Sequence, residues 1–124
     1  MALTEPLILL DTNIVLYYLG GRLTDPLPSG KYFISVITEI ELLSYPSLNP
    51  DEEVQIRTFL TKIIIVCIDE NIKELAIAFR KNHNLRLPDA IITATAQFLN
   101  ATLLTNDARL VKLTEIKTCS VRIL

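Results

Sequence analysis

Four acidic residues lie at points where the sequence changes from a strand pattern to a helix pattern. Asp11 directly follows the apolar run "LILL" (Leu7–Leu10), and Glu41 lies about one turn into the helical segment after a second strand. Asp89 lies in the first turn of "LPDAIITATA", and Asp107 closes "LLTND". Carboxylates are hard oxygen ligands of the kind that Mg²⁺ and Mn²⁺ prefer. The spacing therefore raises the hypothesis of a divalent-metal site.

Each acid alone also has a purely structural interpretation. Asp11 and Asp107 could cap the helices that follow them. Thr38 and Glu41 fit a Thr-x-x-Glu capping box, and Asp89 would be favoured by a helix dipole. Together, however, four carboxylates in a partly dehydrated cleft would repel one another and require a cation. Divalent ions in such a cluster activate water and hold a phosphodiester, so the set favours metal-dependent hydrolysis.

The elements that must position these acids alternate along the chain. Apolar and β-branched runs predict strands at 7–10, 31–37, 63–68, 101–105 and 119–123. Apolar periodicity and end signals predict helices at 12–19, 38–44, from 50 to about 60, from the Asp69 cap to about 80, from Pro88 to Asn100 and at 108–113. In the third of these helices, the predicted apolar face consists of Val54, Ile56, Phe59 and Leu60.

This alternation predicts the fold class. Short strands that are apolar on both faces indicate a central parallel sheet between helices, which is a three-layer α/β/α sandwich. The length of 124 residues, without repeats or linkers, predicts a single domain over residues 1–124. In open sheets of this kind, ligands bind beyond the carboxyl ends of the strands, where all four acids are expected.

Composition limits the possible partners. The net charge is −2, which is not typical of a nucleic-acid binder. If metal neutralised four of the 14 acids, however, ten would remain against 12 basic residues. No apolar run approaches the roughly 20 residues of a membrane span, and the first residues lack the basic start of a secretory signal.

The cysteine and histidine content argues against a zinc site. Cys67 and Cys119 are far apart in sequence and have no metal-ligand spacing, and His83 is the only histidine. We expect both cysteines to be buried thiols in a reducing compartment. The expected location is therefore the cytoplasm.

Four motifs carry a resemblance to a known family. The segments "LLDTNIVLYYL", "ISVITEIELL", "LPDAIITATA" and "LLTNDARL" occur in this order. They resemble the PIN-domain family, and most closely its VapC-type ribonuclease toxins, over about residues 7–113. The resemblance implies a PIN-like α/β/α sandwich and an Mg²⁺- or Mn²⁺-dependent endoribonuclease that hydrolyses RNA phosphodiester bonds. It also implies a homodimer that is held inactive by a small antitoxin protein of a type II toxin–antitoxin pair.

The resemblance further implies which residues form the site. Asn13 and Thr105 match polar positions of the family's pocket, so we expect them to orient carboxylates or water. Glu39 and Glu41 point about 200° apart on a helix, and only Glu41 matches the family's second motif. The catalytic, metal-binding set then consists of Asp11, Glu41, Asp89 and Asp107.

Other functions remain as alternatives. A catalytically silent PIN-fold module that binds protein or nucleic acid would have the same fold without metal. Aspartyl-phosphate chemistry is disfavoured, because a dehalogenase-like site needs a second Asp where Asn13 stands, and a receiver needs paired acids beside Asp11. Basic residues near the later motifs are either phosphate contacts or solvated charges. They are Arg80, Lys81, Arg86 and Arg109.

Overall fold

A computed structural model describes residues 5–124. These residues form five strands and six helices. The strands are β1 (Leu7–Leu10), β2 (Lys31–Ser35), β3 (Ile64–Val66), β4 (Thr102–Leu104) and β5 (Lys117–Cys119). The helices are α1 (Thr12–Leu19), α2 (Val36–Leu43), α3 (Pro50–Leu60), α4 (Glu70–His83), α5 (Leu87–Leu99) and α6 (Ala108–Val111).

The strands form one sheet in the order β3-β2-β1-β4-β5, and every neighbouring pair is parallel. Leu9 of β1 lies between Phe33 of β2 and Leu103 of β4. The carboxyl ends of β2, β1 and β4 are therefore adjacent at one edge of the sheet. The predicted parallel α/β architecture is confirmed.

Helices cover both faces of the sheet because strand side chains alternate between them. On one face, Leu9 and Leu103 are fully buried in a cluster with residues of α4 and α5. On the other face, Ile8 and Leu10 pack in a second cluster with residues of α1, α2 and α3. Two cores separated by one sheet give the three predicted layers.

The second strand is shorter than predicted. It ends at Ser35, whose side-chain oxygen accepts a hydrogen bond from the backbone N–H of Ile37 at 3.2 Å. Ser35 thereby caps α2, so the apolar residues after it belong to the helix and not to the strand. The predicted capping box of Thr38 and Glu41 is wrong, because α2 has already begun at Val36.

The last strand lies earlier than the predicted 119–123. Lys117 pairs with Thr102, and Cys119 pairs with Leu104. Ile123 instead forms an isolated antiparallel bridge with Leu23. The apolar alternation at 119–123 is real, but the length and position of β4 determine which residues pair with it.

Two predictions about burial are wrong. Cys67 and Cys119 are exposed, because they lie at or just after β3 and β5, the two edge strands. Val54 is 64% exposed, so the buried face of α3 is formed by Ile56 with Phe59 and Leu60 beside it. Within residues 5–124, no helix is long and apolar enough to span a membrane.

Candidate active site

Asp11 lies directly after β1, the middle strand of the sheet, at the edge where the carboxyl ends of the strands meet. Its backbone N–H donates to the carbonyl of Leu104 at 3.0 Å, which ties it to the end of β4. Both carboxylate oxygens accept hydrogen bonds. Oδ1 accepts from the Thr12 N–H at 2.8 Å, and Oδ2 accepts from the Thr105 hydroxyl at 2.7 Å. Asp11 is thus both the cap of α1 and a fixed carboxylate.

Burial and neighbouring charge raise the pKa of Asp11 above its ordinary 3.8. The main cause is desolvation, since only 7% of the residue is exposed. The hydrogen bonds from Thr105 and Thr12 oppose this effect, whereas the negative charges of Asp89 and Asp107 add to it. Asp89 and Asp107 are therefore close enough to Asp11 for their negative charges to contribute to its raised pKa.

Asp89 and Asp107 are bridged by an arginine. Nη2 of Arg109 donates to Oδ2 of Asp89 at 3.1 Å and to Oδ2 of Asp107 at 2.7 Å. Arg86 also donates to Asp89 Oδ2, at 3.0 Å. The hydrogen bonds from Arg109 lower the pKa of Asp107, against the effect of its partial burial. Asp107 also caps α6 through the Arg109 N–H, as its structural interpretation predicted.

Glu41 is connected to this group through a threonine. The Thr12 hydroxyl donates to Glu41 Oε1 at 2.6 Å and lies 3.0 Å from the Thr38 hydroxyl. Because the Thr12 N–H binds Asp11, this one residue joins two of the acids. Thr38, which is fully buried, supports the link.

The two supporting residues occupy different environments. Thr105 is fully buried, donates to Asp11 and accepts from the Asp107 N–H at 3.1 Å. Asn13 is exposed and lines a surface hollow of about 310 Å³ together with Glu41 and Tyr45. Thr105 can therefore orient carboxylates, whereas Asn13 faces the space that a ligand would enter.

The donor chemistry fits a hard divalent cation, because the buried Asp11 and its acidic neighbours offer only oxygen ligands. The present side-chain positions do not yet form a chelate. Among residues 5–124, no three carboxylate, imidazole or thiol groups converge closely enough to hold a metal ion. The Arg109 guanidinium supplies the positive charge between Asp89 and Asp107 instead.

Sequence reasoning missed the roles of Thr12, Thr38 and Arg109. Thr12 is adjacent to Asp11, and Thr38 precedes Glu41 by three residues, so proximity to the acids was the available signal. The sequence indicates only that Arg109 is either a phosphate contact or a solvated charge. Its contact with Asp89 joins α6 to α5 and could not be inferred from local sequence.

Comparison with known proteins identifies the family. The PIN-domain family model matches residues 8–116, a span that includes all four acids. The chain belongs to the PIN-domain family. No curated protein sequence matches it.

Solved structures agree with the PIN assignment. A chain in a toxin–antitoxin complex from Klebsiella pneumoniae is 32% identical, with a TM-score of 0.74 over 88% of this chain and 94% of that chain. VapBC2 from Rickettsia felis, bound to a promoter DNA fragment, is 18% identical, with a TM-score of 0.78 over 94% of this chain and 99% of that chain. DNA-bound VapBC from Salmonella typhimurium is 18% identical, with a TM-score of 0.79 over 93% of this chain and 98% of that chain. At 18% identity, the last two show the PIN fold alone.

Proposed function

We propose that this PIN-domain protein is a metal-dependent endoribonuclease and the VapC-type toxin of a type II toxin–antitoxin pair. The observation that carries the proposal is the hydrogen-bonded grouping of three acids at the carboxyl edge of the sheet. The Thr105 hydroxyl joins Asp11 to Asp107, and Arg109 joins Asp107 to Asp89. The cost of gathering such charges around a buried carboxylate is understandable if the group binds a cation.

In this proposal, Mg²⁺ or Mn²⁺ is held by the catalytic and metal-binding set Asp11, Glu41, Asp89 and Asp107. A divalent ion at such a site activates water and stabilises charge on the phosphodiester being cleaved. Thr105 holds Asp11 at one oxygen, and Thr12 holds Asp11 and Glu41 in fixed relation. Asn13, on the exposed side, orients water or the RNA backbone.

The partners follow from the same proposal. The 32% identity to a chain of a toxin–antitoxin complex supports a small antitoxin as a binding partner. We further propose that the toxin is a homodimer and is located in the cytoplasm. Half-exposed Arg109 and exposed Arg86 lie directly at the acids, where they can contact RNA phosphates.

The test is cleavage of RNA by the purified protein with Mg²⁺ or Mn²⁺, with EDTA, and with Asp11→Asn. We expect cleavage only with metal, and a loss of at least about a hundredfold in Asp11→Asn, because a fixed charge at the reacting centre is removed. Asp51→Asn is the matched control, since Asp51 is an exposed acid in the first turn of α3. Full activity of Asp11→Asn would contradict the site assignment.

The competing proposal is a catalytically silent PIN module that binds a protein or a nucleic acid. The absence of a preformed chelate in residues 5–124 is the observation that favours it. A folded protein that neither binds Mn²⁺ nor cleaves any RNA would support this alternative. Binding of Mn²⁺ that depends on Asp11 would oppose it.

A further inference from the structure

Arg109 makes a contact that its local sequence does not explain. An arginine two residues after an aspartate at a helix start can pair with it locally, as Arg109 does with Asp107. The second contact, to Asp89, crosses 20 residues of sequence and joins α6 to α5. One guanidinium nitrogen thus lies within hydrogen-bond distance of two separate carboxylates, as a bound cation would.

The two sides of this interaction differ in their freedom to move. The Asp89 side chain is only 8% exposed, so its charge stays in the site and needs a positive partner. The Arg109 side chain is 52% exposed. It can therefore turn into solvent without leaving a buried donor unpaired. Arg86 reaches Asp89 through Nε but makes no hydrogen bond to Asp107.

We propose that Arg109 is an exchangeable counterion, which competes with the divalent cation for Asp89 and Asp107. Without metal, the guanidinium offsets part of the negative charge of the two carboxylates and holds them in positions that do not chelate a cation. When the cation binds, the Arg109 side chain leaves both carboxylates, including the bond from its Nε to Asp107 Oδ1, and turns towards solvent. This inference rests on the proposed metal site, but it concerns the residue that must move for that site to form.

The first experiment measures Mn²⁺ binding by isothermal titration calorimetry in the wild-type protein, Arg109→Gln and Arg57→Gln. Glutamine removes the charge of Arg109 while keeping a polar side chain. We expect Arg109→Gln to bind Mn²⁺ about three- to tenfold more tightly, the range set by the loss of partly exposed ion pairs. Within residues 5–124, the Arg57 side chain pairs with Glu53 alone, on the surface of α3, so its variant should bind like the wild type.

The second experiment needs no variant of the site to fold. In the wild-type protein, the side-chain Nε–H resonance of Arg109 is followed by NMR during titration with diamagnetic Mg²⁺. We expect this resonance to shift and to exchange faster with water as the hydrogen bonds to the carboxylates are lost. The Nε–H resonance of Arg57 serves as the internal reference and should stay unchanged.

The outcomes separate this inference from the proposed function. Equal or weaker Mn²⁺ binding by folded Arg109→Gln, or an unchanged Arg109 resonance at saturating Mg²⁺, overturns the exchange. If the wild type then still cleaves RNA with metal, the ribonuclease proposal survives alone. Tighter Mn²⁺ binding by Arg109→Gln without RNA cleavage would leave the exchange standing and overturn the ribonuclease. No metal binding by either protein overturns both.

Discussion

Asp11 has a structural and a proposed chemical function in the same carboxylate. As a helix cap, it satisfies the Thr12 N–H at the start of α1, which is typically worth about 1 kcal/mol. As a buried charge near Asp89 and Asp107, it carries an electrostatic cost that raises its pKa. The proposed metal site would explain why two further acids lie beside this cap, since a bound cation would offset their combined charge.

The raised pKa of Asp11 predicts how its charge affects stability in the metal-free protein. The folded state holds the Asp11 proton more tightly than the unfolded state, whose pKa is near 3.8. The stability contributed by Asp11 is therefore fully present below pH 3.8 and is lost as the pH rises through the folded-state pKa. Asn does not titrate, so the free energy of unfolding of Asp11→Asn relative to the wild type should increase with pH.

Urea unfolding in EDTA from about pH 4 to about pH 8 measures this trend. Asp51→Asn is again the control, since it removes an exposed acid from α3. A difference between Asp11→Asn and the wild type that decreases with pH would contradict the assigned pKa direction. The trend is the prediction, because Asn also alters the hydrogen bond to the buried Thr105.

At the scale of elements, the site depends on how β1, β2 and β4 are aligned. The ladder between β1 and β2 begins at the pair Leu7–Lys31. Just before it, the Lys31 N–H donates to the Pro6 carbonyl at 2.8 Å. Gly30 lies at this close approach, where no side chain can be placed. An added Cβ would lie 2.6 Å from Ile8 Cδ1 and 2.8 Å from the Pro6 carbonyl oxygen.

Gly30→Ala should therefore destabilise the protein by about 1–3 kcal/mol, as overpacking of a well-packed contact usually does. Chemical denaturation measures the change, with Ser29→Ala as an exposed neighbouring control. Ile8→Val removes the nearest methyl group, so the double variant should lose less stability than the sum of the single variants. Additive losses would show that Ile8 does not carry the clash.

At the scale of the whole molecule, net charge is a poor guide to the surface that RNA would meet. The chain has 14 acids and 12 bases, yet three acids are gathered at one edge of the sheet beside Arg86 and Arg109. The negative charge at this edge repels a polyanion such as RNA. Binding of a divalent cation there would make the local charge neutral or positive. Under the proposed function, metal is therefore expected to strengthen RNA binding as well as to permit cleavage.

If the protein is a toxin, its expression without an antitoxin should slow bacterial growth, because RNA needed by the cell is cut. Expression of Asp11→Asn at the same level should not slow growth. Growth curves with matched protein levels measure the effect, and Asp51→Asn should act like the wild type. Equal growth with wild-type and Asp11→Asn protein would count against the toxin function but not against nuclease chemistry.

The sequence by itself determined the order of strands and helices, and it offered the four acids as candidates. A continuous apolar run predicted β1 and helix end signals predicted α1 with their observed bounds, and the Asp69 cap of α4 is confirmed. These features are local, since hydrogen-bond pattern and side-chain direction within a few residues decide them. The parallel α/β class follows from strands that are apolar on both faces.

Only the tertiary structure decided which groups meet. The strand order placed the ends of β1 and β4 side by side. Pairing with β4 places β5 at Lys117–Cys119, earlier than the predicted 119–123. Thr12 was found to link Asp11 to Glu41, and Arg109 to bridge two acids from different helices. These contacts depend on packing between segments that are far apart in the chain. A local pattern of apolar or charged residues does not encode which of these segments come together.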